Sequence, residues 1–339
     1  MFLGILLHAI GGFAAGSFYI PIAKIKNWNW ESGWLINGLV AWIFTPWLMA
    51  YLTVPDLASL WGNLSGVLLF WPFFFGILWG IGGLTFGLTM RYLGISLGMA
   101  VALGFSAAFG TLIPPLYEGR LWEVLSENPV LSVGILLCFL GILVAGLAGA
   151  RKEKELSAKA KKEAIKEANF PLGIVVAVIS GIMSACFAFG LTAGNDIADA
   201  AMEQGTNSLW QINPVLILVM GGGFVTNFIW CIGLNIKNKS FRDYTNTKPL
   251  GKNYLLASVA GVVWYHQFMF YGMGSSFLGR DLDFVGWTLH MAFIIMFSNL
   301  WGLYFQEWKG VSRKTFVTLY SGLGFIILAM VMFGLGARG

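Results

Sequence analysis

Cutting the chain at every Asp, Glu, Lys and Arg leaves ten charge-free stretches: 1–23, 32–55, 57–90, 92–117, 128–150, 168–195, 204–236, 253–279, 284–306 and 315–337. Each holds 23 to 34 residues, and a helix needs about 20 apolar residues to cross a hydrocarbon core. Backbone amides cannot stay unpaired in lipid, so such segments must be helices. The fold class expected is an all-α membrane protein with ten transmembrane helices. A soluble core helix would keep a charged face, and these stretches have none. With only 11% of residues charged and a mean hydropathy of +0.74, almost no chain is left for a soluble domain.

The remaining charges predict orientation. Of the 21 Lys and Arg residues, 18 fall in alternate connections: Lys24 and Lys26, Arg91, the seven from Arg151 to Lys166, the five from Lys237 to Lys252, and Lys309, Arg313 and Lys314. The opposite side holds Arg120, Arg280 and Arg338. The positive-inside rule then places both termini outside and the basic connections in the cytoplasm. A net charge of +5 spread over short loops is not a nucleic-acid signature, because no basic stripe interleaved with aromatics follows a phosphate backbone. The N-terminal MFLGILLHAIGG lacks the basic n-region of a cleavable signal and is expected to be the first span. Cys138, Cys186 and Cys231 all lie inside stretches, with no spacing that suggests a disulfide or a metal.

The longest charged tract, RKEKELSAKAKKEAIKE at 151–167, falls between the fifth and sixth stretches. Its composition favours a short amphipathic helix on the cytoplasmic face. It divides the chain into a five-helix repeat at 1–150, a connector at 151–170 and a second five-helix repeat at 171–339. Five is odd, so the second half must enter the membrane inverted. Weak internal similarity agrees. Gly76, Trp79 and Gly87 in the third stretch follow the same G-x-x-W-x7-G pattern as Gly261, Trp264 and Gly272 in the eighth. GFAAGSF at 12–18 in the first stretch matches GIMSACF at 181–187 in the sixth. Inverted repeats are the architecture of alternating-access carriers with a midplane site. The run Gly221-Gly222-Gly223 reads either as tight helix packing or as backbone able to approach a ligand.

Ionisable groups are costly inside spans and mark ion pathways. The inventory is His8, His266 and His290, with Glu31 opening the second stretch and Asp283 opening the ninth. Asp283 and His290 are seven residues apart, hence on one helix face two turns apart, where a proton could pass between them. A lone histidine such as His8 is equally a hydrogen-bonded packing residue. Glu31, close to Lys24 and Lys26, reads as a coupling carboxylate or as half of a cytoplasmic gate ion pair. Mid-span, Trp264-Tyr265-His266-Gln267 sets an aromatic pair beside two polar groups. Aromatic walls with a few placed amides suit a sugar, whose C–H face and hydroxyls need both. The candidate lining is Trp34, Trp79, Phe86, Asn227, Trp264, Tyr265, Gln267 and Tyr271. Among 15 Trp and 28 Phe most aromatics are packing or interfacial residues. Trp28, Trp30 and Trp308, beside loop charges, are expected in the interfacial belt.

These stretches carry a resemblance. LHAIGGFAAGSFYIPIAKIKNWNWE (7–31), WGIGGLTFGLTMRYLGISLG (79–98), VMGGGFVTNF (219–228), WYHQFMFYGMG (264–274) and DFVGWTLHMAF (283–293), with matching span spacing, closely resemble the L-rhamnose–proton symporters of the drug/metabolite transporter superfamily. The resemblance covers essentially the whole chain. It implies a ten-helix bacterial inner-membrane carrier that takes up a 6-deoxyhexose, L-rhamnose or a close relative such as L-fucose, together with a proton. The family pattern falls on His8, Tyr19, Lys24, Trp30, Glu31, Trp79, Arg91, Trp264, Tyr265, Gln267, Tyr271, Asp283 and His290. It departs in the third stretch, where enteric members carry amides and a Tyr at the positions of Gly83, Thr85 and Phe86. It departs again at His266, which replaces an apolar residue.

The rival within the same fold is an exporter of drugs or metabolites, which the polar groups of the eighth and ninth stretches disfavour. A membrane enzyme would need a nucleophile–base or metal constellation, and three scattered histidines supply neither. No phosphate-binding loop suggests an ATP-driven pump. No cofactor or metal is expected; the partners are a small sugar, the proton and the lipid bilayer.

Overall fold

The computed structural model describes residues 2–93, 95–117, 119, 121–155, 170–278 and 283–336. Among these residues the chain is helical and forms no strand. Seven segments are long and apolar enough to cross a membrane: Phe2–Ile22, Trp30–Thr53, Gly66–Thr89, Pro129–Lys152, Pro171–Glu203, Ser208–Asn238 and Arg313–Leu335. Val101–Leu116 is a shorter apolar helix. The protein is therefore an all-helical, multi-pass membrane protein. The helices Leu250–Leu278 and Asp283–Tyr304, of 29 and 22 residues, are also long enough to cross. The first carries Asn253, Trp264, Tyr265, His266, Gln267 and Tyr271, groups that dilute its apolar character.

The second charge-free stretch is not one regular helix. Trp30–Gly38 is α-helical, Leu39–Phe44 is π-helical, and Thr45–Thr53 returns to α. The Thr45 hydroxyl donates to the Val40 carbonyl five residues back, at 2.7 Å, in step with the wider turn. Such π segments are rare and concentrate at functional sites. The connector expected at 151–170 begins as the last turn of the helix Pro129–Glu155; residues 156–169, and the amphipathic helix expected there, lie outside the described residues.

The chain forms two compact units, and each draws on both sides of that connector. The first comprises Met1–Gly12, Gly82–Ala185 and Phe277–Gly339; the second comprises Phe13–Ile81 and Cys186–Ser276. In the first unit Trp308 is buried with Ala148, Leu319 and Leu323 rather than standing in an interfacial belt. The Lys152 ammonium caps its ring at 4.7 Å and pairs with Glu307 at 3.3 Å, so the charges beside Trp308 fold over it. The exposed Glu155 accepts from the hydroxyls of Ser312 at 2.7 Å and Thr315 at 2.6 Å. Those bonds hold its carboxyl below the usual glutamate range.

In the second unit the helix Gly66–Leu93 crosses Asn213–Asn238 backbone to backbone. A Cβ on Gly76 would strike the Val219 carbonyl oxygen, and one on Gly222 would strike that of Phe73. Gly223 lies against the Trp79 ring. The glycine run 221–223 is thus used for close helix packing, which in lipid supplies much of the attraction between helices.

Candidate functional site

The second unit gathers tryptophans from three helices. Trp264 of the helix Leu250–Leu278 meets Phe18 at 4.3 Å between ring centroids, Trp34 at 4.9 Å and Trp42 at 5.2 Å. Trp42 in turn meets Trp34 at 6.1 Å and Trp79 at 6.0 Å. Trp79 continues into Phe187 at 5.1 Å and Phe268 at 5.4 Å, and Phe187 stands 6.5 Å from Tyr271. Most of these contacts are edge-on or tilted, as ring quadrupoles favour. Residues three or four apart share a helix face, so Gly261, Trp264, Gln267, Phe268 and Tyr271 form one side of their helix. Close approach is permitted by Gly261, where a Cβ would meet the Asn37 carbonyl oxygen at 2.6 Å.

The polar candidates divide by company. Gln267 is 4% exposed and stands on the helix face that carries Trp264 and Tyr271. Asn227 is occupied: it accepts from the Trp34 indole at 3.2 Å and donates to the Gly223 carbonyl at 2.9 Å. It holds Trp34 in the cluster. The buried Tyr265 directs its hydroxyl at Asn213, 3.5 Å away, and Asn213 donates to Thr53 at 2.9 Å; this chain joins three helices. His266 turns back on its own helix, with Nδ1 2.6 Å from the Val262 carbonyl.

At the start of Trp30–Gly38 a different polar group is assembled. The Glu31 carboxylate accepts from Asn238 at 2.9 Å and Ser240 at 2.7 Å. Asp243 accepts from the Asn29 backbone at 2.8 Å, the Asn29 side chain at 3.0 Å and the Ser32 hydroxyl at 2.8 Å. Both carboxylates sit near the positive end of the helix dipole. The ion pair considered between Glu31 and Lys24 or Lys26 is not formed. Both lysines are exposed, and neutral amide and hydroxyl donors take the carboxylate instead.

The first unit holds the remaining candidates. His8 and His290 are both fully buried, with ring centroids 6.3 Å apart in an edge-on arrangement. Gly286, one turn before His290, lies under the His8 ring. Nearby, the Trp287 indole donates to the Ser106 carbonyl at 3.0 Å, and the Thr111 and Thr288 hydroxyls bond each other. Asp283 opens the helix that carries His290; its side chain lies outside the described residues. Phe86 belongs to this unit and is half-buried. Among the described residues no cluster of His, Cys, Asp or Glu could hold a metal ion.

Three features escaped the sequence. Nothing in the spacing of His8 and His290, 282 positions apart in the chain, signals their meeting. Trp42 and Phe18 join the cluster although neither is among the candidate lining residues. Asn37, the amide one turn beyond Trp34, could have been found by asking which polar residues share a face with the tryptophans.

Comparison with known proteins gives one answer throughout the chain. The family model described as L-rhamnose-proton symport protein (RhaT) matches residues 1–339. The L-rhamnose-proton symporter of Yersinia pestis (strain Pestoides F) is 38% identical over 341 residues, covering 98% of this chain and 97% of the relative. The L-rhamnose-proton symporter of Yersinia pseudotuberculosis serotype O:1b (strain IP 31758) matches with the same identity and coverage.

Proposed function

The chain belongs to the L-rhamnose-proton symport family, and from that premise we propose that it imports L-rhamnose with a proton by alternating access. The membrane is a bacterial inner membrane, with both termini outside and residues 151–167 in the cytoplasm. The observation that carries the site is Gln267: a buried amide on the same helix face as a tryptophan cluster. A pyranose offers a C–H face to the rings and hydroxyls to the amide. The sugar therefore binds against Trp264 and Gln267, with Trp79 and Tyr271 completing the wall, Asn227 positioning Trp34, and Tyr265 bracing the helix.

The architecture is ten spans in two inverted repeats, 1–150 and 171–339. Paired packing contacts support it. Gly12 of the first stretch packs on Phe293 of the ninth, and Gly181 of the sixth packs on Phe105 of the fourth. Gly76 of the third packs on Val219 of the seventh, and Gly261 of the eighth packs on Val40 of the second. Exchanging the halves of a five-plus-five repeat turns each contact into its partner. The two tryptophans of the repeated motif, Trp79 and Trp264, both meet Trp42.

Symport requires a group whose proton affinity differs between the sugar-bound and free states. His290 with Asp283 takes that role, His8 is the neighbour that shares the buried space, and Glu31 with Lys24 lies toward the cytoplasmic entrance. Radiolabelled L-rhamnose uptake into proteoliposomes tests the reading. An inward proton gradient should drive accumulation, and a protonophore should abolish it; uptake indifferent to the gradient contradicts symport. Asp283→Asn and His290→Gln should lose accumulation while retaining sugar exchange. If both still concentrate sugar, coupling lies elsewhere and Glu31 is next.

A further inference from the structure

Two buried polar groups beside the tryptophan cluster have no part in the site as described so far. Asn37 is fully buried, and neither its amide nitrogen nor its amide oxygen has a hydrogen-bond partner among the described residues. Trp42 is 3% exposed, and its indole N–H is likewise unpartnered. Buried polar atoms are nearly always paired, so an orphan of this kind asks for a missing partner. The two residues flank one structural irregularity. Asn37 is the penultimate residue of the helix Trp30–Gly38, and Trp42 sits within the π-helical turn Leu39–Phe44. The Trp42 ring folds back over Gly38, with its nearest ring carbon 2.8 Å from where a Cβ there would lie.

Asn37 lies between two members of the cluster along the chain. Trp34 is three residues before it on the same face, the Trp42 ring folds back over the adjacent Gly38, and both rings meet Trp264. Its own carbonyl rests on Gly261, one turn from Trp264. An amide offers two N–H donors and one acceptor, and an indole one further donor. The set is neutral, so it suits neither an ion nor a charged headgroup. A polyol is the class it fits, because adjacent hydroxyls can donate to the amide oxygen and accept from the N–H groups.

We infer that Asn37 and the Trp42 indole N–H form a hydroxyl-recognition element for the transported sugar, presented by the π-helical turn and acting with Gln267 on the facing helix. This rests on the assignment of L-rhamnose as substrate. Asn37 is a specificity-determining residue: it reads a hydroxyl that Gln267 does not reach.

The test is calorimetric titration of the purified full-length protein in detergent with L-rhamnose, L-fucose and L-mannose. Asn37→Leu removes the amide and retains bulk, and Trp42→Phe removes the N–H and retains an aromatic ring. Asn37→Leu should bind L-rhamnose about tenfold more weakly, the worth of a good buried hydrogen bond. It should also discriminate less among the three sugars while its thermal unfolding midpoint stays level or rises. Trp42→Phe should weaken binding in the same direction and keeps the test open if Asn37→Leu does not fold. Affinity and sugar ranking unchanged in either folded variant would overturn the inference while leaving the function assigned above intact. A wild-type protein that binds none of the three sugars would overturn both.

Discussion

Glu31 and Asn37 lie six residues apart on the helix Trp30–Gly38 and are both buried, at 3% and 0% exposure. Glu31 is met by Asn238 and Ser240, and the neighbouring Asp243 by Asn29 and Ser32. The Asn37 amide has no hydrogen-bond partner among the described residues. The first arrangement ties the helix start to the segment 238–243 and uses its polar groups as architecture. The second leaves polar atoms available inside an aromatic enclosure, which is the composition of a small-molecule site. Burial alone does not separate scaffold from site; the presence or absence of partners does.

The contrast is broken most severely by emptying the satisfied end. Asp243→Ala removes the acceptor of four hydrogen bonds, one of them from the buried Ser32 hydroxyl, a loss of about 3 kcal/mol. Thermal unfolding in detergent should register it as the largest destabilisation of this set. Asn37→Leu should cost nothing or gain about 1 kcal/mol, since it removes a group that pays desolvation without return. Equal destabilisation by the two would erase the distinction.

Next in size is the loss of a working amide. Gln267→Ala should weaken L-rhamnose binding by about 1–3 kcal/mol if the sugar hydroxyl loses its buried partner. Fold stability should stay near that of the unaltered protein. Unchanged affinity in a folded variant removes Gln267 from the site.

The smallest effect belongs to a carboxylate that is partnered but exposed. Glu155 accepts from Ser312 and Thr315, and these bonds lower its proton affinity in the folded state. Its contribution is therefore fully present above the ordinary glutamate range and fades as pH falls through its depressed folded value. Exposure limits what such a contact is worth. Comparing Glu155→Gln with the unaltered protein, the gap in unfolding temperature should be slight at neutral pH and vanish in acid. A gap that widened in acid would contradict a stabilising role for the bonds from Ser312 and Thr315.

Much of this architecture is legible in the sequence. Charge-free length alone marks an all-helical membrane protein, because lipid tolerates neither unpaired backbone nor free charge. The run Trp264 to Gln267 announces itself by putting an amide among aromatics in mid-span. The same polar content made the helix Leu250–Leu278 less apolar than its neighbours. Other features rest on contacts that local pattern does not encode. Glu31 looked destined for Lys24 because they are close in sequence, yet its partners come from 238–240. The π turn at 39–44 has no compositional signal, being a response to how its neighbours pack. Trp308 reads as a belt residue until Lys152 and Glu307 are seen folded over it.

The central claim is that the tryptophan cluster of the second unit, and not the histidine pair of the first, receives the sugar. An experimental structure of the protein with bound L-rhamnose tests it most directly. The pyranose should lie against Trp264, with hydroxyls within hydrogen-bond distance of Gln267 and Asn37. Sugar bound instead beside His8 and His290, with the Asn37 amide still unpartnered, would contradict it.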